Sequence, residues 1–342
     1  MTRFRFRKKS RKKLFIKIFG GLISFFLFLF LFLLYGPYKG FSNWLITSAM
    51  TTMNHQYLAT WFYSDKYINK VMNSNYVKEI NEETNPELIN FEINSDSYDN
   101  DYEKQILVHD KSQVYKLIKI NEKKLRGYLV VIYDASRVTV GASKNLGRSG
   151  EYVVDMAKRE KALVAINASG FEDEGGHGTG GKPEGYVIKD GKIIWDRALY
   201  GNLVGFNKDN VLVVGKMSKE TAIKKGIRDA VNFFPILVVN GKPSSVYGNG
   251  GWGHANRTAI GQRKDGIVLF LVMDGRDYKT GVIGPGMSEM IDIMLRYGAY
   301  NAVNLDGGTS SNLVINGKLV NKVMNGSFQN RTRPVATMFM LK

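Results

Sequence analysis

Four stretches of this chain place an Asp-Gly or Asn-Gly pair between two apolar runs. They are GYVIKDGKIIW, VVNGKP, IGQRKDGIVLFLVMDG and LVINGKLV. Asn-Gly and Asp-Gly favour the tight turns that join antiparallel strands, because the central residues of such turns need positive φ. The sequence therefore predicts that most of the sheet is antiparallel.

Three segments carry the signals of helices. They are residues 149–160 behind Ser149, residues 218–230 behind Ser218, and residues 287–297, which stop before Gly298. A serine before a helix caps its first turn, and a glycine ends it. From about residue 105 to residue 342 the chain thus predicts an α+β fold with a mixed, mostly antiparallel sheet and a few flanking helices.

The N-terminus predicts one transmembrane helix in front of this domain. Residues 18–35, IFGGLISFFLFLFLFLLY, are uncharged and about as long as a bilayer-spanning helix. We assign residues 1–13 to a cytoplasmic tail and 14–35 to an anchor in the cell membrane. The positive-inside rule then places the rest outside the cell. A cleaved signal peptide is the alternative, although the following YGPYKGF offers no small-x-small cleavage site.

The net charge of +17 comes largely from this tail, because nine basic residues and no acid lie in the first 17 positions. Without them the charge is 17 − 9 = +8, which suits an anionic partner. A nucleic-acid partner is not expected, since the basic run lies on the cytoplasmic side of the anchor. The chain has no cysteine, which excludes disulfides and thiolate chemistry.

Two segments separate the anchor from the domain. Residues 36–77 are rich in aromatics and Met, and Trp44 and Trp61 are expected at the headgroup level of the membrane. Residues 78–104 carry many acids with Asn and Ser and predict a solvated linker. The domain is expected to cover residues 105–342.

Two helix-strand units end in similar polar, glycine-rich loops. One strand ends at Asn167 and the other at Asn304 and Asp306. We expect both loops to line one cleft, because ligands bind where such strand ends meet. Two long surface loops are the alternative. The second loop adds the further candidate ligand-binding residues Gly307, Gly308 and Ser310.

The pieces INASGF, RTAIGQRKDGIVLFLVMDGR, GMSEMIDIMLRYGAYNAVNLDGGTSSNLVINGK and RPVATMFML together resemble the phosphodiester glycosidase domain family, over roughly residues 105–342. The family's name-giving activity removes N-acetylglucosamine from phosphodiester-linked mannose. The resemblance implies a hydrolase of sugar-1-phosphodiesters in cell-envelope polysaccharide or teichoic-acid-like polymers. Bacterial members are associated with exopolysaccharide biosynthesis, and membrane-anchored Gram-positive members show a similar aromatic segment.

The first loop departs from the family pattern. The family usually has Asn-Gly-Gly-Phe-Phe, whereas this chain has Asn167-Ala168-Ser169-Gly170-Phe171. The substrate's identity therefore cannot be transferred. A non-catalytic polysaccharide-binding or assembly protein is the competing interpretation. The joint presence of Asn167, Asp274, Asp306 and Arg333 favours the enzyme.

The implied reaction needs carboxylates near an oxocarbenium-like centre and cations or amides near the phosphate. Asp306 is the first catalytic candidate, with a loop-bracing Asx turn as its alternative. Asp274, in VMDGRD, is the second, with Arg276 beside it. Arg257 and Arg333 each open an apolar strand and are candidates to hold the phosphate. Asn167 and Asn304 complete the predicted substrate-binding set.

A metal requirement stays open. Glu172, Asp173 and Glu174 are consecutive acids on a loop, which suits a cation such as calcium or, equally, a solvated acidic surface. His177 and His254 lie in glycine-rich loops but form no recognisable metal motif.

Overall fold

The structure is a computed structural model that describes residues 6–52, 55–93, 97–173, 178–197, 202–323 and 332–342, with side chains from Lys12 onward. Glu174 and His177 lie outside these ranges. The chain divides into two compact units, Met1–Ser74 and Asn75–Lys342.

The first unit is helical. Its helices are α1 (Phe6–Tyr35), α2 (Lys39–Met50), α3 (Tyr57–Thr60) and α4 (Asp65–Asn73). Within α1, Lys12–Tyr35 is long and apolar enough to cross a membrane, a property that signal sequences share. Buried residues of α2, α3 and α4 form a small core, and the Tyr63 hydroxyl donates to the Leu34 carbonyl at 3.1 Å. The three short helices therefore pack at the C-terminal end of α1.

The second unit contains the remaining elements. Its helices are α5 (Asp101–Leu107), α6 (Val153–Arg159), α7 (Lys219–Lys224) and α8 (Met287–Arg296). Its strands are β1 (Tyr76–Lys78), β2 (Tyr115–Glu122), β3 (Leu125–Ile132), β4 (Val138–Ala142), β5 (Val164–Asn167), β6 (Tyr186–Lys189), β7 (Lys192–Asp196), β8 (Asn202–Asn207), β9 (Leu212–Lys216), β10 (Ile227–Phe233), β11 (Ile236–Val239), β12 (Lys242–Pro243), β13 (Ser245–Tyr247), β14 (Arg257–Arg263), β15 (Val268–Met273), β16 (Ala299–Leu305), β17 (Leu313–Ile315), β18 (Lys318–Leu319) and β19 (Thr337–Leu341).

These strands form three large sheets and one short pair, β1 with β13. The orders are β12-β11-β16-β14-β15-β3-β2, β7-β6-β10-β8-β9 and β18-β17-β5-β19-β4. All four predicted hairpins are present, as β6/β7, β11/β12, β14/β15 and β17/β18, and each pair is antiparallel. In the last of them Asn316 (φ 49°) and Gly317 (φ 70°) have positive φ, as the turn chemistry requires. The predicted α+β fold with a mostly antiparallel sheet is confirmed.

The helix predicted over residues 287–297 is confirmed as α8, whereas the two other predicted helices need correction. The segment 218–230 is helical only as far as Lys224. Gly226 (φ 70°) ends the helix, and Ile227–Phe233 pairs with β8 as strand β10. Helix α6 begins at Val153, not at residue 149, because Glu151 forms a bridge with Val335.

The main core lies between the three large sheets. It contains Val130, Ile166, Phe206, Phe270 and Phe339, which are all fully buried. The other face of the seven-stranded sheet is covered by α8, whose Met287, Met290, Ile293 and Met294 belong to a second cluster. The seven-stranded sheet is therefore packed on both faces, so the loops at its edge start from rigid strand ends.

The segment 78–104 is not the solvated linker that its composition predicts. Thr84 and Ile89 are buried, and the Thr84 amide donates to the Val214 carbonyl at 3.0 Å. Some acids of this segment pair with basic groups far away in sequence: Lys242 approaches Glu82 at 2.6 Å, and Arg263 approaches Glu103 at 3.1 Å. These ion pairs attach the segment to the domain.

Candidate active site

Three of the predicted site residues lie along one edge of the seven-stranded sheet. Strand β14 begins at Arg257, opposite Met273 at the end of β15, while Thr258 lies opposite Leu305 at the end of β16. Asp274 and Asp306, which follow those two ends, therefore flank the start of β14. Neighbouring strands are 4.7–4.9 Å apart, so these aspartates are separated by about 10 Å at the backbone.

Asn167 joins the first loop to this edge. Its Nδ2 donates to the Asp306 carbonyl at 2.6 Å, and its Oδ1 accepts from Thr258 Oγ1 at 2.8 Å and from the Asn312 amide at 3.0 Å. The two strand ends thus meet, while a cleft shared by the two loops stays a prediction. The side chain of Asn167 is fully buried and engaged by the protein, which corrects its expected role from substrate contact to support of the loop.

Asp306 is a partly exposed carboxylate at the end of β16. Its amide donates to the Ala168 carbonyl at 3.1 Å, and its Oδ1 accepts from the Gly307 amide at 2.9 Å. Burial raises the pKa of Asp306 to about 6, and Glu184 adds to the increase. A hydrogen bond with Ser310, the charge of Arg333 and the Gly307 amide act in the opposite direction.

The glycines after Asp306 shape the loop more than they offer contacts. A Cβ on Gly307 would lie 3.0 Å from the Asn256 carbonyl oxygen and 3.1 Å from Arg257 Nη1. Gly308 has φ +60°, and its amide donates to the same Asn256 carbonyl at 2.9 Å. The loop thereby lies close against the start of β14.

Glu184 is the functional candidate that sequence reasoning missed. Its amide donates to the Gly170 carbonyl at 3.0 Å, and its Oε2 lies 3.0 Å from where a Cβ on Gly170 would be. Burial raises the pKa of the half-buried Glu184, Asp173 raises it further, and Arg197 lowers it. The only signal in the sequence is a lone acid two residues before strand β6, which many surface loops also show.

Two of the predicted arginines attract Asp306. Arg333 donates to Asp173 at 2.7 Å, lies 4.4 Å from the centre of the Phe171 ring and attracts Asp306. Arg257 is buried, and burial lowers its pKa to about 10, against the attraction of Asp306. Its Nη2 donates to the Gly253 carbonyl at 2.9 Å.

Two further polar groups at this edge lack internal partners. Arg257 Nε and Asn304 Oδ1 are buried and have no hydrogen-bond partner within the described part of the chain. Asn304 Nδ2 donates to the Phe234 carbonyl at 3.0 Å. Arg276 is exposed and close enough to lower the pKa of Arg257 by repulsion. Because unpaired buried polar atoms are costly, the two groups require a partner such as water or a ligand.

Asp274 belongs to a separate group of charges. Its side chain is 3% exposed, and its Oδ1 accepts from the Lys322 amide at 3.0 Å. Burial raises its pKa to about 6, Arg126 and Lys322 lower it, and Asp277 raises it. This carboxylate braces the chain at residue 322 and is more deeply buried than Asp306, and its predicted catalytic role stays a prediction. Glu184 is a further candidate carboxylate, whose charge raises the pKa of Asp306.

The acids of the loop after Phe171 form ion pairs with basic side chains. Glu172 pairs with Arg197 at 3.1 Å and with Lys182 at 3.5 Å, and Asp173 pairs with Arg333. His254 Nδ1 lies 3.0 Å from the Gly284 carbonyl oxygen. Across the described ranges, no group of three or more His, Cys, Asp or Glu residues could hold a metal ion. These contacts give the calcium hypothesis no support among the described residues.

The site therefore combines the carboxyl groups of Asp306 and Glu184 with the guanidinium groups of Arg257 and Arg333. The family model described as phosphodiester glycosidase matches residues 160–342, a range that contains every residue of this site. The chain belongs to the phosphodiester glycosidase family.

Individual relatives agree with this assignment. The SPbeta prophage-derived protein YomE of Bacillus subtilis (strain 168) is 33% identical over 206 residues, which are 57% of this chain and 31% of that protein. The N-acetylglucosamine-1-phosphodiester alpha-N-acetylglucosaminidase of Bos taurus is 27% identical over 191 residues, 49% of this chain and 34% of the bovine protein. This chain thus spans about a third of the length of these relatives.

The fold is also found in a solved structure. The catalytic domain of the zebrafish N-acetylglucosamine-1-phosphodiester alpha-N-acetylglucosaminidase, auto-inhibited by its pro-peptide, superimposes with a TM-score of 0.56. The match covers 68% of this chain and 85% of the zebrafish chain at 23% identity. At this identity the likeness shows a shared fold.

Proposed function

We propose that this chain is a hydrolase that cleaves the glycosidic bond of sugar-1-phosphodiesters. The observation that carries the proposal is Asp306 itself, a partly exposed carboxylate at the end of β16 whose Oδ1 accepts from the Gly307 amide at 2.9 Å and which Arg333 attracts. Two carboxyl groups in different environments divide the roles of acid, base and charge stabiliser in glycoside hydrolysis. Membership of the phosphodiester glycosidase family supplies the substrate class.

The environments of Asp306 and Glu184 assign their roles. The Gly307 amide, Ser310 and Arg333 all favour the ionised form of Asp306. We therefore assign Asp306 the negative charge that stabilises the oxocarbenium-like centre. Glu184 has a raised pKa because of its burial, which suits a group that transfers protons.

The reaction then balances without a further reactant. The bond between sugar C1 and the phosphate oxygen breaks, and its electron pair leaves with a phosphate monoester. Water adds its oxygen to C1, and Glu184 accepts the proton that the water releases. A phosphate monoester is already a good leaving group, so less acid assistance is needed than for an alkyl glycoside.

The arginines of the site suit the phosphate. Arg276 is exposed, and Arg333 is partly exposed beside Asp306, so both are open to an anionic ligand. Guanidinium groups bind phosphate oxygens in a bidentate manner. Arg257 is more deeply buried, and its positive charge attracts Asp306. The site thus offers negative charge for the sugar carbon and positive charge for the departing phosphate.

We further propose that residues 14–35 anchor the protein in the cell membrane, with the N-terminus in the cytoplasm and the domain outside. The apolar span Lys12–Tyr35 supports this, and so do Trp44 and Trp61, which are 59% and 72% exposed as expected for residues at the headgroup level. The substrates are then phosphodiester-linked carbohydrates of the cell envelope, such as teichoic-acid-like polymers. Protease shaving of intact cells should leave a membrane-bound N-terminal fragment. Release of a protein trimmed at its N-terminus would instead indicate a cleaved signal peptide.

The activity is tested with the full chain in detergent and a synthetic glucose-1-phosphodiester. We expect the wild-type protein to release free glucose, and we expect Asp306→Asn to reduce turnover by about a hundredfold to a thousandfold. Asp292→Asn is the matched control, because Asp292 is exposed on α8 and pairs only locally with Arg296. Wild-type protein that binds the compound without turnover, over a range of sugars, would favour the polysaccharide-binding alternative.

A further inference from the structure

Three aromatic side chains form a continuous cluster beside the candidate active site. The rings of Phe233 and Phe234 are stacked with centres 5.4 Å apart, and the Trp252 ring lies 5.3 Å from Phe234 and 6.2 Å from Phe233. Phe233 is buried, Trp252 is half-buried, and Phe234 is 45% exposed. Phe234 is therefore the outermost of the three rings.

Each of the three residues is connected to the site. The Phe234 carbonyl accepts from Asn304, two residues before Asp306. The Trp252 carbonyl accepts from Arg257 Nη2, and the guanidinium lies 5.5 Å from the Trp252 ring centre.

Phe233 makes the third connection. Its Cε2 lies 2.8 Å from where a Cβ on Gly170 would be, the same position that Glu184 Oε2 approaches to 3.0 Å. The cluster thus extends from Glu184 to Arg257 along one side of the site. A side chain at position 170 would collide with both the ring and the carboxylate.

Polar groups without partners border this aromatic surface. Asn304 Oδ1 and Arg257 Nε are buried and unpaired among the described residues, and both belong to side chains that hold Phe234 or Trp252. A ligand that matches the surface therefore needs a flat apolar face together with hydroxyls at its rim. A pyranose ring has this combination, since its C–H groups lie against a ring face while its hydroxyls point outward.

We propose that the exposed Phe234 ring is a stacking platform for the pyranose ring of the substrate, supported by the stacked Phe233 ring beneath it and by the Trp252 ring, which packs edge-on. The platform deepens the proposed function, on which it rests for the identity of the reaction. It selects phosphodiesters whose phosphate carries a sugar over those that carry only an open-chain alcohol. Arg333 and Arg276 hold the phosphate, whereas the platform orients the ring so that C1 faces Asp306.

The test is ligand-observed NMR on the full chain in detergent, with glucose 1-phosphate as the probe and ethyl phosphate as a control without a sugar. Irradiation of the aromatic protons should transfer saturation to the ring protons of glucose 1-phosphate. Phe234→Ala and Phe234→Leu should weaken the binding of glucose 1-phosphate about three- to tenfold. The affinity for ethyl phosphate should stay within about twofold of the wild-type value. Phe234→Tyr keeps a ring and should bind like the wild type.

Phe234→Leu separates stacking from simple apolar contact, because leucine keeps most of the bulk and lacks the ring. Melting temperatures show whether each variant is folded, and Phe234 is exposed enough for all three to fold. Wild-type affinity for glucose 1-phosphate in both Phe234→Ala and Phe234→Leu would overturn the platform. So would an equal loss of affinity for both probes. Because binding is measured apart from turnover, a protein that binds the sugar through Phe234 without cleaving phosphodiesters would contradict the proposed reaction and leave the platform standing.

Discussion

The side-chain amide of Asn167 donates a 2.6 Å hydrogen bond to the backbone carbonyl of Asp306, from the end of β5 in one sheet to the end of β16 in another. The same side chain accepts from Thr258 and from the Asn312 amide. One buried amide thus holds together a strand from each of two sheets and the loop that carries the catalytic candidate.

Removal of this amide should cost stability as well as activity. Asn167→Ala leaves a buried amide and hydroxyl without a partner, so we expect the free energy of unfolding to fall by about 2–4 kcal/mol. Turnover should fall too, because Asp306 is no longer held in place. Urea unfolding and steady-state kinetics on the same preparation check both. A variant with normal stability and a changed KM alone would show that Asn167 contacts the substrate directly.

Asp306→Asn should stabilise the protein at neutral pH. The folded-state pKa of Asp306 is raised to about 6, above the ordinary 3.8. The native state therefore holds the proton more tightly, and stability falls as pH rises from about 4 to about 6. Asparagine removes this partly buried charge, which is worth at most about 3 kcal/mol at pH 7.

Thermal unfolding of Asp306→Asn and wild type at pH 7 and pH 4.5 measures this effect. The variant should melt at a higher temperature at pH 7, and the difference should shrink at pH 4.5. If the carboxylate mainly braces its loop as an Asx turn, the variant would melt at a lower temperature at pH 7. The two assignments of Asp306 therefore predict opposite signs.

Glu184→Gln should remove one limb of the pH-rate profile. A positioned proton-transfer group contributes typically 10²–10⁴-fold, so we expect kcat to fall by about that factor with a smaller change in KM. Since the pKa of Glu184 is raised, its limb in the wild-type profile lies above the range of an ordinary glutamate. Glu220→Gln is a matched control, because Glu220 is an exposed residue of α7. An unchanged profile shape in Glu184→Gln would favour Asp274 in this role.

The segment before residue 105 should be needed for folding of the domain. Glu79 Oε1 accepts from Asn202 Nδ2 and from the Ile236 amide, both at 2.7 Å, and Thr84 pairs with Val214. A chain that starts at Asn75 should unfold in one cooperative transition, whereas one that starts at residue 105 should be less stable or insoluble. Equal melting temperatures for the two would restore the linker interpretation of residues 78–104.

Local chemistry explains what the sequence predicted well. The hairpins depend on two residues each, and Asn316 and Gly317 adopt the positive φ that their types favour. The meeting of Asn167 with Asp306 was also predictable, because two helix-strand-loop units repeat the same order. The helix predicted over residues 218–230 was too long, because its apolar pattern continues past Gly226, where α7 has already ended.

Long-range pairing explains the rest. Glu184 is a candidate because the fold brings it near Gly170 and Asp306. A lone acid before a strand does not reveal these neighbours. The acids of residues 78–104 looked solvated because the partners of some of them, such as Lys242 and Arg263, lie about 160 residues away. Asp274 looked like the equal of Asp306 because both follow a strand and precede glycine, and each Oδ1 does accept from a backbone amide. The two carboxylates differ in exposure, since Asp274 is buried and Asp306 is partly exposed.

Hydrolysis in ¹⁸O-labelled water tests the central claim most directly, because it shows which bond breaks. The full chain is incubated with a glucose-1-phosphodiester in H₂¹⁸O, and the products are analysed by mass spectrometry and by the isotope shift in ³¹P NMR. Cleavage of the glycosidic bond places the label on C1 of the released glucose and leaves the phosphate monoester unlabelled, which is the result that the Asp306–Glu184 site predicts. Label in the phosphate would show attack at phosphorus and would contradict the assignment of this chain as a phosphodiester glycosidase.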